Sequence, residues 1–151
     1  MEPLPLQDEP KERIASSTGL ATLKHLGKLK RRILDEEGPL AVDYETTGFS
    51  PVDDEVCGVA LGFSSRSGWY LPIRHVNRFG QPISENLPYP LVDDIMKTIE
   101  RSGRPVLMHG ARFDLALSHK EGWLFEDSPV WDTQLARWLL ARGEYPSGAQ
   151  P

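Results

Sequence analysis

Apolar residues recur along this chain at helical spacing in some stretches and in short compact runs in others. Between Thr18 and Gly38, the residues Leu20, Leu23, Leu26, Ile33 and Leu34 fall on one stripe, with Lys24, Lys28, Lys30, Arg31 and Arg32 elsewhere. That spacing predicts a helix from about Thr18, weakened by Gly27 and stopped by Gly38-Pro39. Leu40–Glu45 reads as a short strand, followed by turn-rich Thr46–Asp54. Val56–Phe63 and Gly68–Ile73 read as two further strands, joined into a hairpin by the tight turn Ser64–Gly68. After the loop Arg74–Pro90, Leu91, Ile95 and Ile99 set a helix over Leu91–Ser102 that ends at Gly103. The compact run Pro105–His109 reads as a buried parallel strand. Phe113–Glu121 reads as a helix closed by Gly122, and Val130–Trp131 is a candidate fifth strand too short to assign from pattern. Asp132–Arg142 reads as a last helix with Leu135, Trp138 and Leu139 on its inner side. The order is that of an α/β domain with a mixed sheet over residues 19–142. Residues 1–18, aperiodic and Pro-rich, read as a flexible leader, and residues 143–151 as a loop or frayed C-terminus.

Composition narrows the class without naming a function. A chain of 151 residues is one domain of ordinary size, and 39% hydrophobic with 26% charged residues is the balance of a soluble globular protein. No apolar run approaches the roughly 20 residues of a membrane span, so no membrane partner is expected. The N-terminal MEPLPLQDEPKER is polar and unlike a signal peptide. Cys57 is the single cysteine, which rules out an internal disulfide and a zinc site built from cysteine pairs; a reducing, cytoplasmic setting is the expectation. A net charge of −5 argues against a basic coat protein for DNA. It leaves room for an enzyme that holds nucleic acid through metal ions, because a bound cation inverts the local sign of its carboxylates.

The chemistry-bearing residues are acids. Asp43 and Glu45 stand two apart on a predicted strand, so both project to the same face. Two acids on one face repel unless a cation lies between them, and paired oxygen ligands suit Mg²⁺ or Mn²⁺. A strand end with both acids in solvent is the plainer alternative. Asp114 falls where the buried run ending at His109 gives way to a helix, the kind of position where ligands gather in open α/β sheets. A simple cap or dipole partner is the alternative there.

With these residues in view, the chain resembles the 3′→5′ proofreading exonuclease domain of DNA polymerase I-type enzymes, a DEDD exonuclease of ribonuclease H-like fold. DYETTG at 43–48 matches the first motif of that family and HGARFDLAL at 109–117 the second; WYLPIRH at 69–75 and DTQLARWLL at 132–140 fit as well, in the family's order. The resemblance implies removal of 3′-terminal nucleotides from DNA as 5′-monophosphates, with two divalent metals, Mg²⁺ or Mn²⁺, held by Asp43, Glu45 and Asp114. It implies that Asp43 serves both metals, Glu45 one metal and the attacking water, and Asp114 the second metal. Thr46 and Phe113, beside the motifs, become candidates for contact with the terminal nucleotide, with core packing the competing duty of Phe113. The implied partners are a single-stranded DNA 3′ end and a DNA polymerase domain or chain.

Two departures from the family pattern stand out. The second motif usually carries Asn four residues before its Asp; here that position is Gly110, which predicts a softer junction. The fourth carboxylate, in a Tyr-x-x-x-Asp or His-x-x-x-Asp motif, is not found after Asp114, so the fold is expected to be incomplete at its C-terminal part. Asp132 is the candidate substitute acid, although its place at a helix start reads more simply as an N-cap. Glu144 is a weaker candidate, and His75 and His109 are the nearby histidines, with no general base assigned. Without a last helix, apolar sheet surface would be exposed, which suits dimerisation or docking. A catalytically incomplete domain that binds nucleic acid or a replication partner is the alternative to an enzyme.

Overall fold

The computed structural model describes residues 17–141; the rest of the expected leader and the segment 143–151 lie outside the described residues. Ten elements follow in the order β1 (Ser17–Leu20), α1 (Leu23–Asp35), β2 (Leu40–Thr46), β3 (Val56–Ser64), β4 (Ser67–Pro72), α2 (Tyr89–Ser102), β5 (Val106–Met108), α3 (Ala111–Glu121), β6 (Val130–Asp132) and α4 (Thr133–Leu140). The strands form one sheet in the order β1-β4-β3-β2-β5-β6. β2, β3 and β4 make an antiparallel meander, while β5 and β6 add in parallel beside β2 and β1 adds in parallel beside β4. This is the mixed α/β sheet that the pattern of elements predicts.

The two faces of the sheet are built differently. Leu40, Val42 and Tyr44 of β2, Val59 and Leu61 of β3, and Leu71 of β4 are buried in one core with Val106 and Met108 of β5. α1 contributes Leu26, Leu29 and Ile33 to this core, and α2 contributes Val92, Ile95, Met96 and Ile99. On the opposite face Asp43 pairs in register with Ala60, and Ala60 with Tyr70; Ala41 pairs with Gly62, and Gly62 with Gly68. Apart from Tyr70, that face is made of small residues and acids, and its β2 positions Ala41, Asp43 and Glu45 are exposed. An open groove of about 460 Å³ runs across it, bordered by Gly19, Ala41, Asp43, Ala60 and Tyr70.

Several expectations are corrected. The helix expected from Thr18 begins at Leu23, and Ser17–Leu20 instead forms the edge strand β1 against β4. Thr18 and Gly19 are poor helix formers, and the free edge of β4 offers their backbone a ladder, closed by the Ala21 N–H donating to the Tyr70 carbonyl at 2.8 Å. Ser17 and Thr18, which fall within the expected leader, are part of this edge strand. Leu23 and Leu34 are exposed; the buried stripe of α1 is Leu26, Leu29 and Ile33. The short run at Val130 is a true strand. In α4, Leu135, Trp138 and Leu139 do not lie inward against the protein: no residue of α4 is buried, and Leu139 is 61% exposed. Of the four tryptophans, Trp123 is in the core and Trp69 packs against it, whereas Trp131 and Trp138 are largely exposed.

Two cations brace the frame. The buried guanidinium of Arg104 donates to the carbonyls of Gly38 at 2.9 Å and Arg32 at 3.2 Å, satisfying chain ends around the α1 C-terminus. Arg74, just past β4, forms a forked pair with Glu121 at the end of α3, with N–O distances of 2.9 and 3.1 Å.

Candidate active site

β2 carries the first two acids to the C-terminal edge of the sheet. Its apolar alternation turns Leu40, Val42 and Tyr44 into the core, so Asp43 and Glu45 must face the other side. The ladder with β3 shifts register between Glu45 and Thr46. Such a bulge bends the strand and re-aims the residues beside it. The turn that follows is tied internally: Thr46 Oγ1 donates to the Gly48 carbonyl at 2.6 Å, and Asp54 accepts from Ser50 N at 2.8 Å and Thr47 Oγ1 at 2.9 Å. Phe49 stands out from this turn, 98% exposed. The sequence pattern gave no sign of it, because exposure of a loop aromatic is decided by where the loop goes.

Asp114 lies in the first turn of α3 and is the one buried acid among the described residues, 5% exposed. Its carboxylate accepts no hydrogen bond from any described residue. Burial pushes its pKa up to about 6; the negative charges of Asp43 and Asp132 push the same way, and His109 opposes them. The structure thus brings Asp114 within electrostatic reach of Asp43. Neither Asp43 nor Glu45 has an ion pair or hydrogen bond to its carboxylate among the described residues. No three acids, histidines or cysteines among the described residues close around a point as a metal cage would.

A buried chain of hydroxyls fixes β2 against α3. Ser118 Oγ donates to the Asp114 carbonyl at 2.8 Å, which uses its only proton, so the Tyr44 hydroxyl 2.8 Å away must donate to Ser118. Tyr44 sits between the two acids of DYE and points to the opposite face. Its bond sets the strand that carries Asp43 and Glu45 relative to the helix that carries Asp114. Tyr44 is a site-building residue that the motif reading passed over; its position between two acids on an alternating strand was the available signal. Lys120, at the far end of α3, holds the turn after β2 through the carbonyls of Val52 at 2.9 Å and Asp54 at 2.8 Å.

The remaining expected residues fall as follows. Phe113 is half-buried and packs against the core. Thr46 is spent on its own turn. Asp132 is the N-cap of α4 and also bonds across to the start of α3. The junction at Gly110, expected to be soft, is held by those bonds. His109 is exposed and bonds Thr133 Oγ1 at 3.0 Å. His75 Nε2 lies 2.5 Å from the Tyr70 hydroxyl, which stands over Gly58, where a Cβ would overlap it. Tyr70 has its pKa pushed up to about 12, by burial first and then by Cys57 and Glu45. Glu144 lies outside the described residues.

The 3′-5′ exonuclease family profile matches residues 19–146. The chain belongs to that family. Among solved structures, NrnC of Brucella melitensis is similar at 26% identity and a TM-score of 0.53, over 76% of this chain and 50% of that one; one such structure is NrnC bound to pGG. A further NrnC structure, with bound Mg²⁺, is 21% identical with a TM-score of 0.52, over 89% of this chain and 58% of that one. The Nibbler EXO domain of Aedes aegypti shares the fold at 12% identity and a TM-score of 0.59, over 90% of this chain and 65% of that one. The exonuclease chain described here spans about half the length of the NrnC chains it matches. No curated protein sequence matches it.

Proposed function

We propose that this exonuclease family member removes nucleotides from the 3′ end of single-stranded DNA as 5′-monophosphates, with Asp43, Glu45 and Asp114 as the metal-holding carboxylates. The observation that carries the reading is Asp114: a buried acid whose carboxylate accepts no hydrogen bond from any described residue, facing the charge of Asp43. Desolvation and like charge both disfavour its ionised form, and a hard divalent cation between the acids relieves both. The donor set, carboxylate oxygens alone, fits Mg²⁺ or Mn²⁺. When bound, such ions supply a clamp on the scissile phosphate and an activated water. The protein's own part is placement. β2 and its bulge fix Asp43 and Glu45, the Tyr44–Ser118 bond sets them against α3, and Arg112, exposed in the first turn of α3, offers a cation to a phosphate. Phe49 offers an aromatic face on which a base can stack, as every base has a π-face. Thr46 and Phe113 remain substrate-contact candidates through position alone. A proofreading role, in which a DNA polymerase domain or chain delivers the 3′ end, belongs to the same proposal and rests on the motif resemblance.

A second reading is favoured by one observation, the lack of a closed set of three ligands among the described residues. In that reading the domain binds nucleic acid without cleaving it. Incubation of the chain with 5′-labelled single-stranded DNA and Mn²⁺, beside an Asp43→Ala control, separates the two. A ladder of 3′-shortened products that vanishes in the control supports the enzyme. Retention of the DNA by folded protein with no ladder supports the binding domain.

A further inference from the structure

We propose that Asp132 is a positioning residue that sets Asp114 by capping two helices at once, and that it is not a metal ligand; this rests on the reading of Asp114 as a site carboxylate. Asp132 ends β6 and begins α4. One oxygen, Oδ1, accepts from Gln134 N at 2.8 Å and Leu135 N at 3.3 Å, as an N-cap does. The same Oδ1 accepts from Gly110 N at 3.0 Å, and Oδ2 accepts from Ala111 N at 2.9 Å. The second pair belongs to the start of α3. That helix has no side-chain cap of its own, because its N-cap is Gly110, in the left-handed region at φ +77°. The cap is supplied instead from a strand about twenty residues downstream.

Space and stoichiometry support the assignment. A Cβ at position 110 would come within 3.3 Å of Gln134 Oε1, so a larger residue there would have to push that side chain aside as well as adopt a positive φ. Thr133 Oγ1 lies 3.1 Å from the Met108 carbonyl and 3.0 Å from His109 Nδ1, flanking the clamp on the β5 side. Three backbone N–H groups crowd Oδ1 and a fourth bonds Oδ2, so the carboxylate is turned toward the two helix starts, with one lone pair of Oδ2 left over. The Asp114 side chain makes no hydrogen bond to any described residue, so its position is inherited from the backbone of the α3 first turn. Ser118 holds that turn from within the helix, and Asp132 holds its start.

The test is amide hydrogen exchange, read by NMR on metal-free full-length chain for the parent, Asp132→Ala, Asp132→Asn and Asp114→Asn, followed by Mn²⁺ titration of each. Asp132→Ala is expected to speed exchange at Gly110 and Ala111 at least tenfold along with Gln134 and Leu135. Asp132→Asn keeps one oxygen for Gly110, Gln134 and Leu135 but sets an N–H₂ against Ala111 N–H, so Ala111 alone should open. Mn²⁺ affinity is expected to fall about 10–100-fold in Asp132→Ala, as for loss of a group that orients a ligand, and less in Asp132→Asn. The proposal is overturned if only Gln134 and Leu135 respond, which is an ordinary α4 cap. It is also overturned if Asp132→Asn leaves Ala111 unchanged yet abolishes Mn²⁺ binding as fully as Asp114→Asn, which is a ligand. Should the parent bind no Mn²⁺, the metal reading fails, while the exchange pattern at Gly110 and Ala111 still decides whether Asp132 clamps α3.

Discussion

The two faces of the central sheet are made from the same strands and yet obey different rules. On one, Val42, Tyr44, Val59, Leu61 and Leu71 are buried in the core that α1 and α2 also fill, with Tyr44 reaching Ser118 of α3. On the other, the residues between them in sequence are Ala41, Asp43, Glu45, Gly58, Ala60, Gly62 and Tyr70, and the surface stays open. Apolar volume builds the first face, and small side chains leave room over the second. Stability and chemistry are thus separated by a single step along each strand, so neighbouring substitutions should differ in kind.

The largest expected contrast is in activity. Asp43→Ala should lower 3′→5′ degradation of labelled DNA to background while leaving the thermal midpoint nearly unmoved, because Asp43 is exposed and its carboxylate has no ion pair or hydrogen bond among the described residues. A midpoint that falls sharply with it would mean that the open face also holds the fold. On the buried face, Leu61→Ala should lower unfolding free energy by about 2–5 kcal/mol in a urea titration. Ala60→Ser, one residue away, should stay within about 0.5 kcal/mol. Equal losses at the two positions would erase the distinction between faces.

Asp114 lies where the two rules meet, and pH sharpens it. Its folded pKa, about 6, is above the ordinary aspartate value of 3.8, so the folded state binds the extra proton between those values. Stability from this group is therefore greatest below about pH 4 and declines as pH rises through 6. Asp114→Asn should accordingly stabilise metal-free protein at pH 7.5, with the gain vanishing near pH 4, while abolishing cleavage. Thermal melts across pH 4–8 read this directly; a parent protein whose stability relative to the Asn variant does not change with pH would contradict it. The smallest effect is expected from Tyr44→Phe, about 1 kcal/mol for one buried hydrogen bond. It should also reduce activity without touching substrate, and a variant with lowered stability but parental activity would remove Tyr44 from the alignment of β2 and α3.

Much of this arrangement was legible in the chain. The alternation Leu40-Ala41-Val42-Asp43-Tyr44-Glu45 states which side chains go inward, and Ser64–Gly68 between two apolar runs states a hairpin. The family profile over residues 19–146 agrees with what the motifs imply. β1 was hidden because Ser17–Leu20 has no apolar signature and is a strand only by virtue of the free edge of β4. The exposure of α4 was hidden because an apolar stripe shows which side of a helix is oily, not whether anything covers it. The clamp at Gly110 was hidden for a third reason. Its donors are backbone N–H groups, which every residue but proline has, and its acceptor is 21 and 22 positions away. A departure from the motif that reads as a loss in one segment is made good by a carboxylate in another.

The position of β2 within the sheet also has a bearing on how the molecule comes together. On one side β2 is followed directly in sequence by β3 and β4, with no helix between them, and on the other it pairs with β5 only after α2 has been made. Contacts between near neighbours form early and cheaply in chain entropy, whereas distant pairings wait for larger loops to close. Asp43 and Glu45 can therefore be presented by the closed meander while Asp114 is still being delivered by the crossover. Folding in that order would set Asp43 and Glu45 before Asp114, and the three-carboxylate arrangement proposed above would be completed only when β5 docks.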